Sequence, residues 1–173
     1  MRRIALCLAA LALAAPLAAK DSLGVFGQWG AFRDPSVPRC YAIAAPEPER
    51  RSRGAARARA QDGRGQAAFA SVGTWPRRGV RGQMHMRLSR TVAKGAAITL
   101  SLGGRSFALR GAGGDAWAQD ARMDAAIVAA MRSAPSMSVS ARDGPGRRFT
   151  DRYSLDGAAT AMDAATIGCA RIR

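Results

Sequence analysis

Residues 96–133, AAITLSLGGRSFALRGAGGDAWAQDARMDAAIVAAMRS, place a hairpin and a helix in immediate succession. Ile98, Leu100 and Leu102 alternate with Thr99 and Ser101, and Phe107 and Leu109 alternate with Ser106, Ala108 and Arg110. That two-residue period belongs to strands with one buried face. A two-residue loop at Gly103-Gly104 sets Leu100 opposite Phe107 and Ile98 opposite Leu109, so all four large side chains share one face. The following helix opens at Asp115 or Asp120, since either carboxylate can accept from the free amides of a first turn. Met123, Ile127 and Met131, flanked by Ala126 and Ala130, form its apolar stripe, while Arg122, Ala125, Ala129 and Arg132 face away. Pro135 ends it.

A length of 173 residues suggests a single domain with one core. Residues 1–19 stand apart from it: Met1-Arg2-Arg3 is basic, Ile4 to Ala15 is apolar, and Leu17-Ala18-Ala19 offers small residues for cleavage, the pattern of a secretory signal. No later segment approaches the roughly 18 apolar residues of a membrane span. The expected location is therefore periplasmic or secreted, in an oxidising compartment. Without the leader, Cys40 and Cys169 are the only cysteines, and compartment predicts that they form one bridge rather than two independent thiols. Closing so long a loop is worth about 4 to 5 kcal/mol on the entropy model.

Strand signals occur on both sides of the central hairpin. Leu23 to Arg33 has the aromatic content of a strand, Asp34-Pro35-Ser36-Val37-Pro38 breaks it, and Cys40 to Ala44 resumes as its antiparallel neighbour. Ala67 to Val72 and Gln83 to Ser89 follow, the second with Met84, Met86 and Leu88 on one face and His85 exposed on the other. Ser136 to Ala141 and Arg147 to Leu155 form a last hairpin, with an odd loop or a bulge that sets Val139 opposite Phe149. A short C-terminal helix after Asp156-Gly157 presents Ala158, Met162 and Ala165. The fold class is mainly β: an antiparallel β-sandwich or strongly bent sheet of about seven to nine strands over residues 20–173, with one packed helix at about 120–133.

Charge is the strongest compositional anomaly. Removing Arg2 and Arg3 leaves 25 of 27 basic residues against 12 acidic ones, a net charge near +13. Such a surface attracts anions. In residues 46–66 apolar periodicity vanishes while Arg50, Arg51, Arg53, Arg57, Arg59 and Arg64 accumulate, the composition of a flexible loop able to grip polyanions. Trp75 beside Arg77 and Arg78 can either stack on a ligand or cap the sheet. These nine residues are the candidate binding set. The expected partner is an envelope protein or an anionic envelope component, the membrane surface included. A nucleic-acid partner is not expected, because charge is present without motif or compartment.

Catalytic signals are weak. His85 is the only histidine, and no G-x-S-x-G turn surrounds a serine. The alternative to a binding protein is a small periplasmic hydrolase using His85, or Asp120 and Asp124 one helical turn apart. Two acids in a first turn also suit the helix dipole. One histidine, no thiol pair at ligand spacing and no aspartate-rich loop imply neither metal nor cofactor. Gly111-Ala112-Gly113-Gly114 reads as a glycine linker or a weak anion nest.

The leader, FGQW at Phe26 to Trp29, RCYAI at Arg39 to Ile43 and YSLDGAATAMDAATIGC at Tyr153 to Cys169 together resemble the invasion-associated locus B family of bacterial envelope proteins. The resemblance implies a secreted, mainly β protein associated with the envelope or with host-cell interaction, and brings no catalytic residues. Arg33 and Asp34 stand where that family often carries a further cysteine.

Overall fold

A computed structural model describes residues 20–48 and 67–170; the leader and Arg50 to Arg64 lie outside the described residues. Ten strands are formed: β1 (Asp21–Phe26), β2 (Trp29–Asp34), β3 (Arg39–Ala44), β4 (Phe69–Trp75), β5 (Val80–Arg87), β6 (Ile98–Leu102), β7 (Arg105–Ala112), β8 (Asp115–Trp117), β9 (Ser136–Arg142) and β10 (Arg148–Ser154). Two helices join them, α1 (Ala121–Met131) and α2 (Ala158–Cys169). All strands belong to one antiparallel sheet ordered β1-β2-β3-β4-β5-β8-β7-β6-β9-β10, curled into a half-barrel.

The central hairpin has the register that its alternation predicts, Ile98 with Leu109 and Leu100 with Phe107. Gly103 and Gly104, at φ 57° and 72°, make the two-residue turn, a backbone conformation that twists with the strands. Of the two candidate caps, Asp120 is the one used: its Oδ1 accepts from the Met123 amide at 2.8 Å. Asp115 instead begins β8, which pairs with both β5 and β7. Residues 111–114 are thus not a linker to the helix; they carry the β7–β8 turn, with Ala112 opposite Asp115.

Three further details differ from the sequence reading. The aromatic stretch at 23–33 is two strands, because Gly27-Gln28 turns the chain and pairs Phe26 with Trp29. With β8, this raises the strand number to ten. The last hairpin does have an odd loop, but Arg142 pairs with Arg148, which sets Phe149 opposite Ala141 and Val139 opposite Asp151. The buried Asp143 carboxylate holds this loop by accepting from the Arg147 amide at 2.8 Å and meeting Arg90 and Arg147 at 3.0 and 3.1 Å.

Both helices cover the inner face of the curl, α1 over β5 and β6 and α2 over β1 to β4. Beneath α1 lie large residues, Met84, Met86, Leu100 and Val139. On β2 to β4 and α2 many of the buried positions are small, Ala31, Ala42 and Ala70 on the strands and Ala158, Ala161 and Ala165 on the helix, with Trp29, Val72 and Met162 as the larger members. Small side chains on both surfaces let helix and sheet approach closely, so dispersion contacts replace bulk. Cys40 and Cys169 are disulfide-bonded, with 5.7 Å between their Cα atoms, and tie the end of α2 to β3. The start of α2 is equally constrained. Gly157 has φ 80°, and a Cβ there would collide with the Phe26 carbonyl.

Candidate functional site

Burial of Cys40 fixes the parity of β3 and sends Tyr41 to the outer face. The same alternation along β2, β4 and β8 puts Phe32, Phe69 and Trp117 half-buried on that side. Trp75 joins them, because its ring lies over Gly73, where a Cβ would sit 2.7 Å from it. Five of the chain's ten aromatic residues therefore lie on the outer face of β2, β3, β4 and β8, all half-buried, so large rings stand on the side away from the core.

The aromatic residues form two clusters. In the first, Phe32 and Tyr41 stack at 5.7 Å, the Arg39 guanidinium lies 4.8 Å from the Tyr41 ring centre, and Gly73 beneath Trp75 pairs directly with Tyr41. Pro76 then starts a single 3-10 turn that carries Arg77 and Arg78 and closes on the left-handed Gly79. Trp75, Arg77 and Arg78 line a hollow of about 320 Å³ with Ser36, Val37 and Pro38 of the β2–β3 turn. That turn is braced from below by the buried Asp34, which accepts from Ser36 Oγ at 2.6 Å and faces Arg39 Nη2 at 3.5 Å. The Ser36 hydroxyl, and then the Arg39 charge, hold the Asp34 carboxyl below its usual range against the opposing effect of burial. Arg77 and Arg78 are exposed and have no carboxylate partner among the described residues. Their charge is available to an external anion.

The second cluster surrounds His85. Its ring is only 24% exposed, stacked on Trp117 at 5.1 Å and edge-on to Phe69 at 5.3 Å, rather than free in solvent as its alternation suggests. Asp115 Oδ1 accepts from both His85 Nε2 and Arg87 Nε at 2.8 Å. Ser71 pairs with His85 across the strands, but its hydroxyl donates to the His85 carbonyl at 3.4 Å. The serine is therefore engaged with backbone rather than with the imidazole, unlike a nucleophile awaiting its base.

The acids proposed for hydrolysis are elsewhere. Asp120 caps α1 through Oδ1, and Asp124 points inward, its Oδ1 accepting from the Met84 amide at 2.7 Å. Met84 faces the interior and His85 the exterior, so the sheet itself separates the histidine from the acid pair. Burial raises the Asp124 carboxyl, with the Met84 amide opposing. This carboxylate pins α1 to β5. Among the described residues no group of three or more His, Cys, Asp or Glu side chains could hold a metal ion.

The model of the family described as Invasion associated locus B (IalB) protein matches residues 47–166. The chain belongs to this family. The matched residues run from beyond β3 through most of α2, taking in the Trp75, Arg77 and Arg78 turn, the His85 cluster and all of α1. No curated protein and no solved structure matches the chain. The invasion associated locus B family is envelope-associated, and no helix among the described residues is long and apolar enough to cross a membrane.

The sequence singled out Trp75, Arg77 and Arg78 for their adjacency, and the fold puts all three on one hollow. It missed Phe32, Arg39, Tyr41, Phe69, Arg87, Asp115 and Trp117. The available signal was Cys40: a cysteine committed to a buried bridge must face inward, so its neighbour Tyr41 must face out.

Proposed function

We propose that this chain is an exported, non-catalytic binding protein of the cell envelope, and that its outer aromatic and arginine face takes an anionic envelope component. The observation that carries this reading is the hollow at the end of β4. Two unneutralised arginines line it beside an indole, and the buried Asp34 holds the facing turn in place. Guanidinium groups supply charge and forked donors for phosphate or carboxylate, while the aromatic rings offer flat apolar area beside them. The leader pattern, the disulfide and membership of an envelope-associated family support export to the periplasm or beyond.

An interaction of this kind weakens as salt rises, because exposed charges are screened over about 8 Å at physiological ionic strength. Fractionation of cells carrying the wild type should recover the chain with envelope material at low salt and release it at high salt. Arg77→Ser/Arg78→Ser should release at lower salt. Identical fractionation of the two at every salt concentration would overturn the proposal.

A further inference from the structure

On the opposite side of the sheet, the two helices leave a groove between them. It has a volume of about 570 Å³, within the roughly 300–1,000 Å³ usual for small-molecule sites. Val72 forms its floor, Val128 one wall, and Met162, Ala165 and Cys169 the other. The lining is thus largely aliphatic, and the Cys40–Cys169 bridge fixes the wall that α2 provides.

One charged group reaches this groove through a break in strand pairing. Gly73 pairs with Gln83 and Trp75 with Val80, so Thr74 alone faces two residues, Arg81 and Gly82. This bulge puts an extra residue into β5 at Gly82, whose φ is 64°. Without it, Arg81 would share the outer face with Gln83 and His85; with it, Arg81 lines the groove. The other polar groups of the lining are already engaged. Arg132 is held by both carboxylate oxygens of Asp163, Thr166 Oγ1 donates to the Met162 carbonyl at 2.8 Å, and Thr74 Oγ1 accepts from the Gly82 amide at 3.3 Å. Arg81 has no such partner among the described residues.

We infer that this groove binds an amphiphile with one anionic head, a long-chain carboxylate being the simplest member, with its head on Arg81 and its chain along Val128, Met162 and Ala165. Charge complementarity selects the head and the aliphatic lining selects the chain. Pro76 and Gly79 of the 3-10 turn reach the rim of this groove, whereas Arg77 and Arg78 between them line the outer hollow instead.

The test is titration of the folded, oxidised protein with dodecanoate below its micellar range, followed by calorimetry. One saturable site is expected, with dodecyltrimethylammonium failing to bind at the same concentrations. Arg81→Gln, an exposed substitution, should weaken dodecanoate at least about tenfold, the effect of losing one charge-assisted contact. Val128→Trp should abolish binding by filling the groove. Arg77→Ser/Arg78→Ser should leave it unchanged, which separates this site from the outer face. Absence of saturable binding, equal affinity in Arg81→Gln, or equal binding of the cationic amphiphile would overturn the inference. If Val128→Trp fails to fold, the Arg81→Gln comparison decides alone.

Discussion

The Trp29 indole Nε1 donates to the Ser154 carbonyl at 2.9 Å, joining residues 125 positions apart. Trp29 is fully buried, and the neighbouring Gln28 amide donates to the Asp156 carbonyl at 3.1 Å. These bonds bring the β1–β2 turn to the end of β10, so opposite ends of the sheet order are held together and the curl is maintained. Trp29→Phe keeps most of the ring but orphans the acceptor, and should lose about 1 kcal/mol. Trp29→Ala also leaves a cavity and should lose about 3–5 kcal/mol. Urea unfolding monitored by circular dichroism measures both.

The Cys40–Cys169 bridge spans 129 positions and anchors the only helix over β1 to β4 among the described residues. Cys169→Ser should reduce stability by roughly 2–5 kcal/mol, chiefly by freeing the unfolded chain. Reducing agent should destabilise the wild type and leave the variant unchanged. Thermal unfolding of both proteins with and without reductant checks this.

Asp124 and Asp143 are both buried aspartates but respond to pH in opposite directions. Burial raises the Asp124 carboxyl above 3.8, so its contribution to stability is fully present below that pH and lost as pH rises through the folded value. Asp124→Asn retains an acceptor for the Met84 amide and should be more stable than the wild type at neutral pH, the difference disappearing below pH 3.8. Asp124→Ala leaves that amide unpaired and should lose about 1–3 kcal/mol. Urea midpoints across pH 3 to 8 distinguish the three proteins.

At Asp143 burial also opposes ionisation, but the Arg147 amide and the Arg90 and Arg147 guanidiniums outweigh it and hold the carboxyl below 3.8. Its contribution is present above that pH and lost as pH falls through the folded value. Asp143→Asn should therefore show a shallower loss of stability in acid than the wild type, measured in the same titration.

The central hairpin was legible because two local signals agree: strict alternation and a Gly-Gly turn that permits only one register. The ambiguity at Asp115 and Asp120 was real, since both are aspartates ahead of helix-forming residues. Pairing of Asp115 with Arg87 across strands distant in sequence is what removes it from the helix. The outer aromatic face was hidden by a rule that usually works. Large residues are expected inside, yet Ala31, Ala42 and Ala70 face α2 while Phe32, Tyr41 and Phe69 face out. Close packing of a small-residue helix reverses the size preference, and that helix is distant in sequence. Likewise, no local pattern reveals that a bulge opposite Thr74 turns Arg81 inward.

Anion binding by Trp75, Arg77 and Arg78 is read out most directly in the salt dependence of affinity for heparin. Each anionic contact removed should reduce the slope of log affinity against log salt by about one. A slope shallower by about two is expected in Arg77→Ser/Arg78→Ser, with weaker binding at low salt and an unchanged unfolding midpoint. A double variant that matches the wild type in both slope and affinity would contradict it.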